Sequence, residues 1–250
     1  MIKDKSVDEK VVQHFAERSD YYAKMKRFDV NPYDETIVDY VCNHCSESPK
    51  ILEIGGGSGY LLDLMYNITH CKNLYNLEFS FGIYEKQASD AIRLIGGDGR
   101  RLPFKDDIFE FVIIKNVLHH LVGRSRKESK RFAKICIDEI VRVVKNDGYV
   151  VILEQYNSYK IFSSILFYLS YVFSIFGIQV SSFGLHKYVI VSFLTPEEVT
   201  NLLTSRRTDV EITLKQERRK EVSLKLKLTL LISNIGHILC VGKVHKSEEK

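Results

Sequence analysis

Residues 51–62, ILEIGGGSGYLL, are the stretch of this chain best suited to bind a small ligand. A short apolar run that carries one acidic residue, Glu53, breaks into four glycines between positions 55 and 59, and a helical apolar pattern follows. Because glycine has no Cβ, a glycine turn lets the backbone approach a ligand closely. A strand, a glycine turn and a helix in this order predict the first part of a nucleotide-binding βαβ unit.

The spacing of these glycines separates one kind of nucleotide site from another. A dinucleotide fingerprint needs glycine at its first, third and sixth positions, and counting from Gly55 and Gly57 the sixth position is Tyr60. A phosphate-binding P-loop ends in Gly-Lys-Ser/Thr, whereas Ser-Gly-Tyr stands here. An NAD-dependent oxidoreductase is therefore disfavoured. The motif that is present is acidic-x-Gly-x-Gly-x-Gly, from Glu53 to Gly59.

An acidic residue follows the glycine turn at a distance typical of ribose binding. The run LYNLEF at residues 74–79 predicts a second strand that ends in Glu78, which lies 19 positions after Gly59. A carboxylate about twenty positions beyond such a turn can accept hydrogen bonds from ribose hydroxyls. Glu78 is therefore a candidate ribose-binding residue.

The glycine motif resembles motif I of class I S-adenosylmethionine (SAM)-dependent methyltransferases. The run GDGRRLPFKDDIFEFVIIKNVLHHL, residues 97–121, is similar to the block after motif II in the branch with ubiquinone/menaquinone-biosynthesis C-methyltransferases. The resemblance implies SAM as the cofactor, with Asp98 accepting a hydrogen bond from the adenine amino group and the backbone of Gly99 donating one. The cofactor-binding residues expected on this basis are Glu53, Gly55, Gly57, Gly59, Glu78, Asp98, Gly99 and Asn116.

Methyl transfer from a sulfonium is an in-line displacement, so an enzyme of this kind works mainly by holding the reactants in line. A general base is needed only where the acceptor must lose a proton. A fourth strand is predicted over 109–114. His119 and His120, just past it, are the candidate bases, although an LHH string at this point is often structural in the related family. Weaker candidates are Glu154, Tyr156 and His186.

The residues after the fourth strand also limit the acceptor. Enzymes that methylate amino groups of nucleic acids carry Asn/Asp-Pro-Pro-aromatic there, whereas residues 116–119 read Asn-Val-Leu-His. Cytosine C5 enzymes need a Pro-Cys pair, which this chain lacks. The net charge of +4 does not by itself indicate nucleic acid. A small-molecule or lipid acceptor is therefore favoured over nucleic acid.

The length of 250 residues and the balance of 45% apolar and 27% charged residues fit one α/β domain. A helix is expected over 131–145, ended by a turn at 146–148. The expected fold is the Rossmann-like class I methyltransferase fold: a seven-stranded, mainly parallel sheet with helices on both faces, a helical apolar cap and a closing antiparallel hairpin. The expected parts are N-terminal helices at 1–48, a SAM-binding core at 49–156, the apolar cap at 157–193, and a C-terminal helix with closing strands at 194–245.

Residues 161–185 contain no Asp, Glu, Lys or Arg. A membrane-spanning helix would fit this length, but it would separate strands that must pair in one sheet. We expect a cap over the acceptor pocket, which suits a lipophilic acceptor or peripheral contact with a membrane. Burial for packing and a homodimer interface are the alternatives. Residues 124–134 carry a local charge of +5. A solvated helix face is the usual explanation, and a patch for an acidic substrate, nucleic acid or anionic lipid headgroup is the alternative.

Five cysteines and a charged stretch at 1–10 in place of a signal peptide predict reduced thiols and a cytoplasmic protein, with membrane association as an alternative. Cys42 and Cys45 form a C-x-x-C, but the second pair of ligand types, His70 and Cys71, is adjacent, which is poor zinc geometry. No metal site is predicted.

The sequence therefore predicts a SAM-dependent methyltransferase that moves a methyl group to O, N or C of a small, lipophilic acceptor. A SAM-binding protein without transferase activity, acting through a partner, is the alternative.

Overall fold

The structure is a computed structural model that describes residues 32–80, 89–176, 190–204, 209–220 and 235–246. The strands are β1 (Ile51–Ile54), β2 (Leu74–Glu78), β3 (Ile92–Gly96), β4 (Phe109–Lys115), β5 (Val144–Asn157), β6 (Asp209–Arg219) and β7 (Ile235–His245). The helices are α1 (Pro32–His44), α2 (Tyr60–Thr69), α3 (Arg126–Val143), α4 (Lys160–Phe176) and α5 (Pro196–Thr204), with a 3₁₀ turn at Leu118–His120.

The seven strands form one sheet in the order β3-β2-β1-β4-β5-β7-β6. Neighbouring strands from β3 to β5 pair in parallel, whereas β7 pairs antiparallel with both β5 and β6. The prediction of seven strands with a closing antiparallel hairpin is confirmed. The prediction of a mainly parallel sheet is confirmed only in part, because the insertion of β7 makes the sheet mixed.

Helices cover both faces of the sheet. On one face, α3 and α5 pack their buried apolar residues against β1, β4 and β5. On the other face, α1 and α2 pack against the alternate residues of the same strands. Strand β1 is buried along its whole length, as expected for a strand covered on both faces. Each fully buried Leu, Ile or Val stabilises the fold by about 1.5–3 kcal/mol, so this core fixes the loops at the strand ends.

Helix α3 ends earlier than the sequence pattern predicts. The turn at 146–148 was expected to end the helix, but α3 ends at Val143, and Val144 already pairs with Phe109 of β4. Buried β-branched residues favour a strand at this point. The predicted turn residues form an irregularity within β5 instead, in which Asp147 adopts a left-handed conformation with φ 61°.

The first turn of α5 confirms the predicted helix start. Thr195 Oγ1 accepts a hydrogen bond from the N–H of Glu198, and a carboxylate oxygen of Glu198 accepts one from the N–H of Thr195. This reciprocal pair is a capping box.

Helix α4 lies within the segment predicted as an apolar cap. Three of its serines, Ser163, Ser170 and Ser174, lie on one side of the helix and are buried. In the part of the chain that the structure describes, no helix is both long and apolar enough to cross a membrane. The helix expected at 7–26 and the strand extension expected at 222–228 lie outside the described residues.

Candidate cofactor and acceptor site

The strand order reverses between β1 and β4, which lie side by side at the centre of the sheet. In open α/β sheets, ligands bind at the carboxyl ends of the strands where the order reverses. The glycine turn follows β1 at this point, and Asn116 follows β4. The two loops are packed together, since a Cβ on Gly55 would lie 2.5 Å from Cγ2 of Val117.

The glycine turn requires glycine for conformation and for space. Three of its residues have φ between 61° and 78°, a region that other residues rarely adopt: Gly55, Gly57 and Gly59. The turn also passes directly over the buried Glu53 side chain, because a Cβ on Gly56 would lie 2.5 Å from Glu53 Oε2 and 2.6 Å from Asn76 Oδ1. Glu53 thus lies beneath the turn.

Glu78 fixes the glycine turn relative to the end of β2. One carboxylate oxygen accepts a hydrogen bond from the N–H of Gly57 at 3.1 Å, and the other accepts from the N–H groups of Phe79 and Ser80 at 2.9 and 3.0 Å. The Asn76 side chain adds a fourth tie, donating to the carbonyl oxygen of Gly57 at 2.8 Å. Binding of ribose by Glu78 stays a prediction.

Several buried polar atoms at this edge have no hydrogen-bond partner among the described residues. They include Oδ1 of Asn116, Oδ1 of Asn76 and Oγ of Ser80. The Asn116 backbone is held in a left-handed conformation, with φ 55°, and its N–H donates to the carbonyl oxygen of Leu153 at 2.8 Å. A buried polar atom without a partner costs about 1–3 kcal/mol. The site therefore fits a ligand that carries hydrogen-bond donors, as the amino and hydroxyl groups of SAM do.

Asp98 follows β3, and its carboxylate is already engaged. The Nε of Arg100 lies 3.0 and 2.9 Å from the two carboxylate oxygens, and its Nη2 lies 2.7 Å from one of them. The Arg100 guanidinium also lies over the Phe132 ring, 4.9 Å from its centroid. Gly99 packs on the core, since a Cβ there would lie 3.1 Å from Cys136 Sγ. Sequence reasoning missed the ion pair on Asp98.

A buried carboxylate holds His119 at the same edge of the sheet. Glu154 of β5 is 1% exposed, and its oxygens accept hydrogen bonds from the N–H groups of Leu118 and Gln155, each at 2.7 Å. The Nδ1 of His119 lies 2.5 Å from Glu154 Oε1. The tautomer of His119 that donates from Nδ1 to this carboxylate leaves a lone pair on Nε2. This arrangement suits a general base that a carboxylate orients.

The structure distinguishes the two predicted histidines. The ring of His119 stacks on Phe193, with centroids 5.4 Å apart, and its carbonyl oxygen accepts from the N–H of Ser192 at 2.9 Å. The His120 ring lies 4.0 Å from the His119 ring, but the carboxylate of Glu154 meets His119. Glu154 thus fixes the orientation of His119, as a general base requires.

A second buried ion pair lies at the end of β4, and sequence reasoning missed it. The ammonium of Lys115 binds the carboxylate of Asp34 in α1, which is 1% exposed. The two residues are 81 positions apart. An acid in a first helical turn and a lysine at a strand end are each common, so neither residue gives a signal alone.

His237 of β7 also lies near these groups. Burial and then the charge of Lys220 lower the pKa of His237, whereas the carboxylate of Glu154 raises it and His119 and Lys115 lower it. The carbonyl oxygen of His237 accepts a hydrogen bond from the Tyr33 hydroxyl at 3.1 Å. His237 is therefore a neutral neighbour of the His119–Glu154 pair.

The weaker candidates are placed as follows. Glu154 belongs to the site as the partner of His119, whereas Tyr156 is buried in the core, and burial raises the pKa of its hydroxyl. His186 lies outside the described residues.

All five cysteines are free thiols. Across the described ranges, no group of three or more His, Cys, Asp or Glu residues could hold a metal ion.

Comparison with known proteins agrees with this geometry. Residues 52–152 match a family model described as a methyltransferase domain. A protein of Encephalitozoon cuniculi that is named as a methyltransferase is 29% identical over 111 residues, which are 44% of this chain and 46% of that protein. The uncharacterized methyltransferase YcgJ of Bacillus subtilis is 24% identical over 119 residues, which are 45% of this chain and 43% of YcgJ. The chain thus spans about half the length of the curated relatives it matches.

Solved structures share the fold. The crystal structure of YcgJ matches with a TM-score of 0.59 at 14% identity, covering 86% of this chain and 98% of that chain. A SAM-dependent methyltransferase of Methanosarcina mazei matches with a TM-score of 0.59 at 17% identity, covering 88% of this chain and all of that one. The predicted class I, Rossmann-like fold is confirmed. The family model matched by residues 52–152 is that of a methyltransferase domain, which supports SAM as the cofactor.

Proposed function

We propose that the protein transfers the methyl group of SAM to an oxygen, nitrogen or carbon atom of a small, lipophilic acceptor. The observation that carries the proposal is the position of the carboxylate-held His119 at the same sheet edge as the glycine turn and the buried Oδ1 of Asn116. A cofactor site and a candidate base thus share the carboxyl ends of adjacent strands.

The residues proposed to hold the cofactor lie around the switch point. The glycine turn brings its backbone close to the ligand, Glu78 binds the ribose hydroxyls, and Asn116 Oδ1 accepts a hydrogen bond from a donor on the cofactor. Asp98 and the Gly99 backbone bind the adenine, which requires Asp98 to share its carboxylate with Arg100. Bound SAM supplies a methyl group that the sulfonium already activates.

His119 is proposed to remove a proton from the acceptor. Its Nε2 takes the proton as the acceptor atom gains the methyl group, and the carboxylate of Glu154 stabilises the imidazolium that results. A positioned base of this kind contributes about 10²–10⁴-fold to a rate. Alignment of the acceptor in a site shielded from water supplies the rest of the rate acceleration.

Three observations favour a lipophilic acceptor. The ring of Phe193 stacks against His119, the apolar helix α4 packs next to the 190–193 segment, and the 97–121 block resembles the quinone-methylating branch. A phenol or quinone precursor would stack on such rings and present an acidic hydroxyl or carbon to a base.

One observation favours the second candidate, a SAM-binding protein without transferase activity. The ion pair with Arg100 occupies the Asp98 carboxylate that is expected to select adenine. A protein that binds its ligand weakly or through a partner would tolerate this pair. Turnover separates the two candidates, because only the first moves the methyl group.

The test is label transfer from SAM that carries a deuterated methyl group to pools of lipophilic phenols, quinones and lipids, read by mass spectrometry. The proposal predicts a product heavier by one labelled methyl group, which disappears in His119→Gln and Glu154→Gln variants that still bind SAM. Binding of SAM without labelled product in any pool would favour the second candidate, a SAM-binding protein without transferase activity.

A further inference from the structure

Helix α4 carries large apolar residues on its solvent face, unlike an ordinary surface helix. Its buried face packs Leu166 and Phe167 together with three serines that are 0%, 1% and 3% exposed: Ser163, Ser170 and Ser174. Its solvent face carries six large apolar side chains that are 36–72% exposed: Ile161, Ile165, Tyr168, Val172, Ile175 and Phe176. Surface helices of soluble proteins place apolar residues toward the core and polar residues outward. Helix α4 departs from this pattern on its solvent face.

The exposed residues form one continuous stripe. At 3.6 residues per turn the six side chains lie within an arc of about 100°, and the three serines lie on the opposite side. Helices that contact lipid show this pattern, with small residues such as serine at the protein-packed face and large apolar residues outside. An exposed apolar stripe of this size marks an interaction surface.

The serine face of α4 is fixed to the folded domain. The N–H of Val191 donates to Ser170 Oγ at 3.3 Å, and Phe167 packs with Val122 and Ile190. In the same 190–193 segment, Ser192 donates its N–H to the carbonyl oxygen of His119. These contacts hold the helix in this orientation, so its apolar stripe faces away from the domain.

Positive charge borders the stripe. Arg124 and Lys127, at the start of α3, are exposed. Burial lowers the pKa of Arg126, which lies between them, whereas Glu198 and then Tyr168 raise it, so Tyr168 of the stripe lies near this guanidinium. Arg126 is tied to the same region, donating to the carbonyl oxygen of Phe193 at 2.8 Å. Helix α4 itself carries no acidic residue. Anionic lipid headgroups attract such cations, whereas a second copy of this chain would bring its own cations against them.

We propose that the outer face of α4, together with Arg124 and Lys127, binds the surface of a lipid bilayer that contains anionic lipids. The helix lies in the plane of the interface, with its apolar stripe among the upper acyl chains and its exposed Tyr168 at the headgroup level. No helix in the described ranges could span the bilayer, so the contact is peripheral. This inference is independent of methyl transfer and would hold for a protein that only binds SAM.

The test is flotation of the full chain with vesicles of neutral phosphatidylcholine alone or with about 30 mol% phosphatidylglycerol. The Val172→Asp/Phe176→Asp variant places two charges in the stripe. The matched control is Ile68→Asp, which changes a side chain that is 56% exposed on α2. We expect the wild-type chain and the control to float with anionic vesicles and the double variant to lose about tenfold or more of its partitioning.

A second pair of variants tests the charge. Arg124→Glu/Lys127→Glu removes the cations beside the stripe, and Lys72→Glu/Lys145→Glu makes the same change in net charge at exposed positions beside the other ends of the strands. Only the first pair should weaken binding to anionic vesicles by about tenfold, and added salt should reproduce its effect. Circular dichroism melting confirms that each variant is folded.

Three outcomes would overturn the proposal. The first is absence of flotation at any lipid composition, and the second is equal loss of binding in the control variants. The third is a dimer, found by light scattering, that Val172→Asp/Phe176→Asp dissociates without any binding to vesicles. That result would assign the stripe to contact between two copies of the chain.

Discussion

The two halves of the ligand-binding edge are built from different parts of the chain. On the side of β1, β2 and β3, the surface offered to a ligand is largely backbone, and side chains such as Glu78 and Asn76 hold that backbone in place. On the side of β4, β5 and β7, the edge contains buried side chains in pairs, Glu154 with His119 and Asp34 with Lys115. The path of the backbone in the loops determines the geometry of the first half, and pairs of side chains from different elements determine that of the second.

This difference has a chemical consequence. A site built of backbone recognises the shape and hydrogen bonds of one fixed ligand and depends on glycine where φ is positive. A site built of paired side chains sets charge and proton affinity, and one substitution changes it. We therefore propose that the β1–β3 half, together with Asn116 after β4, binds the cofactor, and that the other residues of the β4–β5–β7 half hold the acceptor and its proton. Variants in the second half should change turnover, and variants in the first half should change cofactor affinity.

The largest expected effect is on turnover in the second half. His119→Gln keeps a hydrogen-bond donor for the carboxylate of Glu154 but removes the lone pair that accepts a proton. We expect kcat to fall by about 10²–10⁴-fold, the usual contribution of a general base. The dissociation constant of SAM, measured by calorimetry, should stay within about twofold, because the loss lies outside the cofactor half.

His120→Gln is the matched control, because it changes the adjacent ring and leaves the ring held by Glu154 intact. Its kcat should remain within about threefold of the wild-type value. Equal turnover in both variants would mean that the protein works by alignment alone, and the division into cofactor and proton-handling halves would then fail.

The next effect is on stability. Lys115→Met leaves the carboxylate of Asp34, 1% exposed, without its cation, and removal of one partner from a buried pair costs about 3–5 kcal/mol. The free energy of unfolding in urea should fall by about that amount. Asp34→Leu/Lys115→Met should recover most of the loss, and Lys145→Met, an exposed site, should change it by less than about 0.5 kcal/mol. An unchanged free energy of unfolding in Lys115→Met would show that the pair does not hold α1 to the sheet.

A smaller effect is expected on cofactor affinity in the first half. Asp98→Ala removes the acceptor proposed for the adenine amino group and should weaken SAM binding by about 1–3 kcal/mol, roughly 5- to 150-fold. Arg100→Gln frees the same carboxylate from its ion pair and should leave SAM affinity equal or higher. Calorimetric titration measures both. If Arg100→Gln weakened binding as much as Asp98→Ala, the ion pair rather than the free carboxylate would be the binding element.

The smallest effect concerns pH. Burial, followed by Lys220, lowers the pKa of His237 below that of an exposed histidine, about 6.5. As pH falls through about 6.5 the unfolded chain takes up a proton that the folded chain refuses, so the free energy of unfolding decreases. His237→Gln should reduce this loss, by at most about 1.4 kcal/mol per pH unit. Urea unfolding at several pH values between neutral and acidic checks this, and an identical pH dependence in the variant would contradict it.

Much of the first half could be predicted from sequence because its residues are close together in the chain. The glycine turn occupies five consecutive positions, and the spacing to Glu78 reflects one strand–helix–strand unit. Asn116 was placed by resemblance to a family rather than by physics. What local reasoning could not supply is the ion pair of Arg100 with Asp98, which depends on side-chain orientation.

Less of the second half could be predicted, because its pairs join distant segments. His119 was identified from its place after β4, but its partner Glu154 is 35 positions away and was only a weak candidate. Lys115 and Asp34 belong to different elements and look ordinary in sequence. Helix α4 was predicted as a cap from its apolar composition. The outward direction of its large side chains depends on the hydrogen bond from Val191 to Ser170 and on the packing of Phe167 against Ile190.

The central claim is that the edge between β1 and β4 binds SAM. Calorimetric titration of the purified protein with SAM, with its demethylated product and with NAD tests it most directly. The account predicts micromolar binding of the first two, weakened by Asn116→Ala, and no binding of NAD. Binding of NAD, or failure of SAM and its product to bind the folded protein, would contradict it.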